Sequence, residues 1–276
     1  MNDGVLARVS IIMPTHNRMD LVPRAIESVR KQTFMDWELL VTDDASTDTT
    51  WNVLTEWAAK DARIKPHRNA TNQYPDISGI LNGGIARSQG AYIARLDDDD
   101  YWIDSEKLAK QVAYLDAHPE CVIVGTGVVV VDAENKERYR YFKKEFDIDI
   151  RKSALAANPF THSTVMYRKS IALAAGGYAN RYIEDWALWL AMGTRGSLHN
   201  IPEYSIAYLM AESNKTWLFQ RAQYREVMKL IWRFKWQYPR FARGFAVNCA
   251  AYAFAFLPTV LRRALQGYAS RFKRTV

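Results

Sequence analysis

The stretch ARLDDDDYW, from Ala94 to Trp102, sets four consecutive carboxylates directly after an apolar, strand-like run. Like charges packed that closely repel one another. A hard divalent cation such as Mg²⁺ or Mn²⁺ would relieve them, since such ions take oxygen ligands from one or two carboxylates and complete their shell on substrate phosphates. The plain alternative is a solvated acidic turn leading into the helix that begins near Ser105. Two further polar clusters favour the ligand site, because PTHNR at Pro14–Arg18 and DDASTD at Asp43–Asp48 also follow strand-like runs.

The elements that must carry these clusters alternate. Strand-like segments at Val9–Met13, Glu38–Thr42, Ile64–Arg68 and Tyr92–Leu96 are separated by helix-like segments around Leu21–Lys31, Thr49–Ala59 and Ser78–Ser88. That βαβα order predicts an α/β fold with a mostly parallel central sheet flanked by helices. Such sheets bind ligands at the carboxyl ends of their strands, where the polar clusters fall. No G-x-G-x-x-G or Walker A sequence opens any of these helices, which removes the ordinary dinucleotide and P-loop readings. The chain of 276 residues, 49% hydrophobic, is long enough for one large α/β core or two small ones. Cys121 and Cys249 lie far apart in apolar surroundings, so neither a disulfide framework nor a zinc knuckle is expected. The N-terminal residues lead into VSIIMP without a secretory signal, and the expected compartment is the cytoplasm.

Charge divides the chain. The formal net charge is +7, yet the last 62 residues carry 13 Lys and Arg against the single acid Glu226, leaving the remainder at −5. Residues 215–276 are therefore read as a separate helical tail behind a domain at 1–214. In the tail, Arg221, Arg225, Lys229 and Arg233 recur every four residues, opposite an apolar face and beside Trp232 and Trp236. This is a basic amphipathic helix with interfacial aromatics, the character of a monotopic anchor on an anionic membrane surface. The charge-free run 244–261 is marginal for a span, which needs about 20 predominantly apolar residues, and Asn248 and Pro258 interrupt it. In-plane or shallow insertion is the favoured expectation, with packing on the sheet or on another subunit as the alternative.

Four ordered motifs resemble the inverting family 2 glycosyltransferases of the GT-A fold: VSIIMPTHNR at Val9–Arg18, ELLVTDDASTDTT at Glu38–Thr50, ILNGGIARSQGAYIARLDDDDYW at Ile80–Trp102 and EDWALWLAMGTRG at Glu184–Gly196. The resemblance runs through about the first 200 residues. It implies a nucleotide-sugar half at about 1–104 and an acceptor half at about 105–214. Asp97 and Asp99 look like the ends of a DxD motif, with Asp99 the direct metal ligand and Asp97 or Asp98 facing the ribose; Asp100 would position the site or cap the next helix. Asp43 and Asp44 resemble the acidic pair that reads a uracil base, since a carboxylate accepts from the ring N–H. A UDP-sugar is the implied donor and Mn²⁺ or Mg²⁺ the implied cofactor. Pro14, Thr15 and Asn82 would line the nucleotide-sugar pocket; Asn17 and Arg18 would do so or shape the turn. Asp185 resembles the base that removes the acceptor's hydroxyl proton, with Glu184 beside it. His162 resembles a residue near acceptor and metal, available as a ligand when neutral. Trp186 and Trp189 offer an aromatic face to an acceptor sugar or belong to the core.

Two departures stand out: Gly83 in LNGGI replaces an arginine common in relatives, and AYLMAES at Ala207–Ser213 lacks their Tyr-Arg and following His. Arg68, Arg87, Arg95 or Lys215 would have to stand in as diphosphate contacts, or the metal would carry more of the charge. The family and the tail together imply a lipid-linked saccharide acceptor, in surface polysaccharide or glycolipid synthesis at the cytoplasmic face of the membrane. Two rivals are a sugar nucleotidyltransferase, for which PTHNR offers little of the usual Gly-rich basic signature, and a nucleic-acid binder acting through the tail. The second leaves the acidic strand ends unexplained, so no nucleic-acid partner is expected.

Overall fold

A computed structural model describes residues 7–179, 182–210 and 220–257. The chain divides into two compact units, one of residues 1–150 and 158–212 and one of residues 151–157 and 213–276.

The first unit is built on a nine-stranded sheet. Its opening half follows the alternation in the sequence: β1 (Val9–Thr15), α1 (Val22–Arg30), β2 (Trp37–Asp43), α2 (Thr50–Lys60), β3 (Ile64–Arg68), α3 (Ile77–Arg87) and β4 (Tyr92–Arg95). These strands lie parallel in the order β3-β2-β1-β4. All residues of β2 and β4 are buried, and all of β1 but Pro14, as expected for parallel strands covered on both faces. Helix α1 has proline in its first turn, where no backbone N–H is missed, and buries Val22, Ala25, Ile26 and Val29. Helix α3 is capped by Asp76, whose carboxylate accepts from the Gly79 backbone N–H.

The second half adds β5 (Tyr101–Trp102), α4 (Lys107–Ala117), β6 (Cys121–Val131), β7 (Glu137–Tyr141), α5 (Asp147–Ser153), β8 (Met166–Arg168), α6 (Lys169–Ala174), α7 (Glu184–Gly193) and β9 (Ser197–Leu209). The sheet continues past β4 as β8-β6-β9-β5, with β7 paired to β6. Strand β8 runs antiparallel to both β4 and β6, and β9 parallel to β6, so the parallel half passes into a mixed one. All eleven residues of β6, CVIVGTGVVVV, are buried.

Among the described residues of the second unit, α8 (Gln220–Arg233) buries Val227, Leu230 and Ile231, and the connection to α9 (Phe241–Phe254) buries Phe234 and Tyr238. Gly244 packs on the 151–157 segment so closely that a Cβ there would lie 2.7 Å from Leu155 Cβ. Asn248 is buried, and its amide donates to the Leu155 carbonyl (3.1 Å) and the Gly244 carbonyl (2.8 Å). Arg225, Lys229 and Arg233 are exposed, as are Trp232 (56%) and Trp236 (86%); Lys235 lies over both indoles. The Arg221 side chain, Lys215 and residues 258–276 lie outside what is described. No helix among the described residues is long and apolar enough to cross a membrane.

Candidate active site

Parallel pairing sets the carboxyl ends of β1, β2, β3 and β4 along one edge. Thr15 pairs with Asp43, and Asp43 with Arg68. Asp43 is fully buried; its Oδ1 accepts from the Ser46 N–H (3.1 Å), and its Oδ2 lies 3.2 Å from Arg68 Nε yet accepts no aligned hydrogen bond. A buried carboxylate oxygen in that state has spare acceptor capacity. Asp44 is occupied differently: its carboxylate takes Asn69 Nδ2 (2.8 Å) and the Gln73 N–H (2.9 Å), which anchors the loop after β3. Pro14 and Thr15 stand at the end of β1 as expected. Asn17 shapes the turn: with a left-handed backbone (φ 52°), it accepts through Oδ1 from the Thr47 and Asp48 N–H groups. Its amide oxygen therefore ties two loops together, the turn-shaping alternative of the two expected for it.

The aspartate run follows β4. Asp100 is buried and accepts from Ser163 Oγ (2.6 Å) and the Leu209 N–H (3.1 Å), so it joins the run to β9 and does not cap α4. Burial would raise Asp97, but the Arg95 guanidinium, 2.6 Å away, holds its carboxyl below the usual range. Burial and Asp99 push Asp98 up to about 7, against Arg18 at 3.8 Å; burial and Asp97 likewise push Asp99 up. Asp98 and Asp99, partly exposed and raised by burial and neighbouring carboxylates, are an oxygen donor pair whose chemistry suits Mg²⁺ or Mn²⁺. Asp98 and Asp99 are the residues that would hold it, together with substrate oxygens. No group of three or more His, Cys, Asp or Glu side chains among the described residues forms an all-protein metal cage.

Arg95 is completely buried and donates to the Ile12 carbonyl, Asp97 and His162 Nε2 (3.0 Å). The Tyr178 hydroxyl lies 3.1 Å from the same His162 nitrogen and 3.3 Å from Tyr167 Oη. Burial and Arg95 push His162 down to about 3, leaving it neutral, with Nε2 the acceptor and the proton on Nδ1. Its Nε2 is occupied by Arg95 and Tyr178, which ties His162 into a buried hydrogen-bond chain. Asn82 is likewise absorbed structurally, donating to the Tyr178 carbonyl (2.7 Å) and accepting from its N–H (2.9 Å).

Helix α7 opens with Glu184 and Asp185. Asp185 Oδ2 accepts from Asn158 Nδ2 (2.6 Å) and Oδ1 from the Trp186 N–H (2.6 Å). Burial raises Asp185, and the charge of Asp97 raises it further; α7 reaches the aspartate run through Trp189, which packs edge-on to His162 beside Arg95 and Asp97. Burial and Asp185 push Glu184 up to about 8. Trp189 is fully buried, edge-on to Phe160, His162 and Tyr178, so it is core and not a sugar platform. Trp186, 8% exposed, keeps only an edge at the surface. Of the cations expected at the diphosphate, Arg68 pairs with Asp43, Arg87 donates to Thr42 (2.7 Å) and Arg95 is buried. Arg18, near Asp98, Arg24, which donates to the Asp99 carbonyl (3.3 Å), and Lys143, whose charge reaches Asp185, are cations beside these carboxylates. Lys143, Asn158, Ser163 and Tyr178 carried no sequence signal, because only tertiary contact brings them to the site.

Residues 10–174 match the family described as Glycosyl transferase family 2. Putative glycosyltransferase EpsE of Bacillus subtilis is 35% identical over 221 residues, covering 75% of this chain and 77% of that protein. The Escherichia coli protein WfaP, named UDP-Glc:alpha-D-GlcNAc-diphosphoundecaprenol beta-1,3-glucosyltransferase, is 29% identical over 198 residues, 68% of this chain and 71% of its own length. Among solved structures, S. aureus TarS 1–349 in complex with UDP-GlcNAc superposes with a TM-score of 0.68 at 17% identity, covering 90% of this chain and 73% of that one. This chain spans 43% of the longer TarS form. Mannosyltransferase PcManGT from Pyrobaculum calidifontis, in complex with GDP-Man and Mn²⁺, gives 0.64 at 16% identity over 98% and 81% of the two chains. The fold is that of these GT-A glycosyltransferases.

Proposed function

The chain belongs to glycosyl transferase family 2, and from that premise we propose that it moves a sugar from a UDP-sugar to a hydroxyl of a lipid-linked saccharide, with inversion and with Asp185 as base. The observation that supports the reading is the chain of contacts from α7 to the aspartate run: Trp189 packs edge-on to His162, which accepts from Arg95, which in turn pairs with Asp97. Asp43, with its unaligned Oδ2, is the acceptor for the uracil N–H; Asp44 anchors the loop after β3 beside it. The names of TarS's ligand and of WfaP's substrates support a UDP-sugar and a diphosphate-lipid acceptor.

A divalent ion held by Asp98 and Asp99 would supply Lewis-acid stabilisation to the departing diphosphate. The protein's own part is proton removal and placement. Asp185, oriented by Asn158 and the Trp186 N–H, takes the acceptor proton as its oxygen attacks the anomeric carbon from the side opposite the diphosphate. Glu184 keeps its proton at neutral pH and donates a hydrogen bond to the acceptor. Arg18 meets the negative charge of the leaving group. Residues 215–276 bring the enzyme to the cytoplasmic membrane surface where such acceptors are presented.

Calorimetric titration of UDP, with GDP and CDP as controls, in Mn²⁺, in Mg²⁺ and in chelator tests the donor site. UDP-selective, metal-dependent binding that disappears in Asp99→Asn is expected. Equal binding of the three nucleotides, or binding indifferent to metal and to Asp99, would overturn it.

A further inference from the structure

Lys143 lies between β7 and α5, and the mechanism above gives it no part. Its half-buried ammonium donates to the Asn158 backbone carbonyl (3.1 Å). Among the described residues, no carboxylate comes within ion-pair distance of it. Asn158 turns its side chain the other way and clamps Asp185 Oδ2 at 2.6 Å. One residue thus holds the base through its amide while Lys143 holds that same residue through its carbonyl. A lysine drawn into a cleft without a paired carboxylate is costly, since burial disfavours its charge, and here burial does depress its pKa while Asp185 opposes the depression. The groups bearing on Asp185 come from several elements: Glu184 on α7 itself, Asp97 after β4, Tyr178 after α6 and Lys143 after β7. Lys143 is the cation in that set.

We propose that Lys143 is a positioning residue for Asp185: it fixes Asn158, and with it the carboxylate's orientation, and it brings a positive charge to the base. The proposal rests on reading Asp185 as the base. Its failure is separable from the failure of that reading, because the charge effect can be measured without turnover.

The full chain is labelled with [¹³Cγ]aspartate, and the resonance missing in Asp185→Asn identifies Asp185. Its titration midpoint is then followed in the wild type, Lys143→Gln, Lys143→Met and Lys143→Arg, each shown to be folded by its thermal transition. Loss of the charge should raise the midpoint by about one pH unit, as removing a nearby cation from a carboxylate does; Lys143→Arg should leave it near the wild-type value. Unchanged midpoints in Lys143→Gln and Lys143→Met would overturn the proposal, as would an equal rise in Lys143→Arg. Asp185→Asn that still transfers sugar, from whichever UDP-sugar the wild type turns over, at the wild-type rate would instead sink the base reading, whatever the titration gives.

Discussion

Adjacent carboxylates at the head of α7 meet different surroundings. Asp185 accepts two hydrogen bonds that favour its anion, whereas burial and the neighbouring negative charge push Glu184 up to about 8. On the proposed reading Asp185, the better hydrogen-bonded of the two, is the base. Asp185→Asn should lower kcat roughly 100- to 10,000-fold, the usual range for a positioned base, while Glu184→Gln, which keeps a hydrogen-bond donor there, should retain most of the rate. Because Asp185 titrates above the ordinary aspartate value, the rate should fall on acidification at a higher pH than an exposed aspartate would dictate. A pH profile of UDP release for both variants checks this, and an inactive Glu184→Gln beside an active Asp185→Asn would reverse the assignment. EDW and the aspartate run were legible because motif order exposed them. Arg95 was legible only as a nearby cation: nothing in AYIARLD tells that its guanidinium turns inward to Ile12 and His162 instead of out to a phosphate.

At the scale of elements, the four parallel strands could be read from apolar runs bounded by polar clusters. Strands β5 and β8 could not, since two and three residues carry no periodicity, and the order β4-β8-β6-β9 is a tertiary fact. Helix α4 holds a further surprise. Its first residue, Lys107, is 1% exposed, donates to Gln111 (2.7 Å) and lies 4.3 Å from the Trp102 ring centroid. Burial pushes its ammonium down to about 7, whereas in the unfolded chain it titrates near the ordinary lysine value. Between those two values the unfolded chain binds more protons, so Lys107 makes the fold more stable as pH rises, by at most about 1.4 kcal/mol per pH unit. Lys107→Met should remove that slope. Urea unfolding of wild type and variant at pH 7.5 and 9.5 measures it: the wild type should gain stability relative to the variant on going to pH 9.5, and parallel behaviour would show that Lys107 titrates alike in both states.

At the scale of the molecule, the charge asymmetry and the surfaces of α8 and α9 bear on where the enzyme works. Asn248, which looked like an interruption of an apolar run, turns inward to Leu155. The outward residues of α9 beyond Arg243 are then Ala246, Val247, Cys249, Ala250 and Ala253, a charge-free face, while Arg225, Lys229, Arg233, Trp232 and Trp236 are exposed around α8. Basic side chains bordering exposed indoles and an uncharged helix face suit a lipid surface better than a nucleic acid, which would leave the apolar residues without a partner. The placement of the 151–157 segment with these helices escaped the sequence because it is short and its charge is unremarkable. The full chain should cosediment with phosphatidylglycerol vesicles and much less with phosphatidylcholine, and added salt should weaken the binding. Near an anionic surface each basic residue contributes about 1 kcal/mol, so Arg225→Gln, Lys229→Gln and Arg233→Gln should each weaken binding roughly fivefold. Trp236→Ala should weaken binding to both lipids, because the indole's contribution comes from its ring and not from charge. Equal partition into neutral and anionic vesicles would remove the electrostatic part of the argument. Salt-sensitive binding to DNA without binding to vesicles would assign the tail to nucleic acid instead.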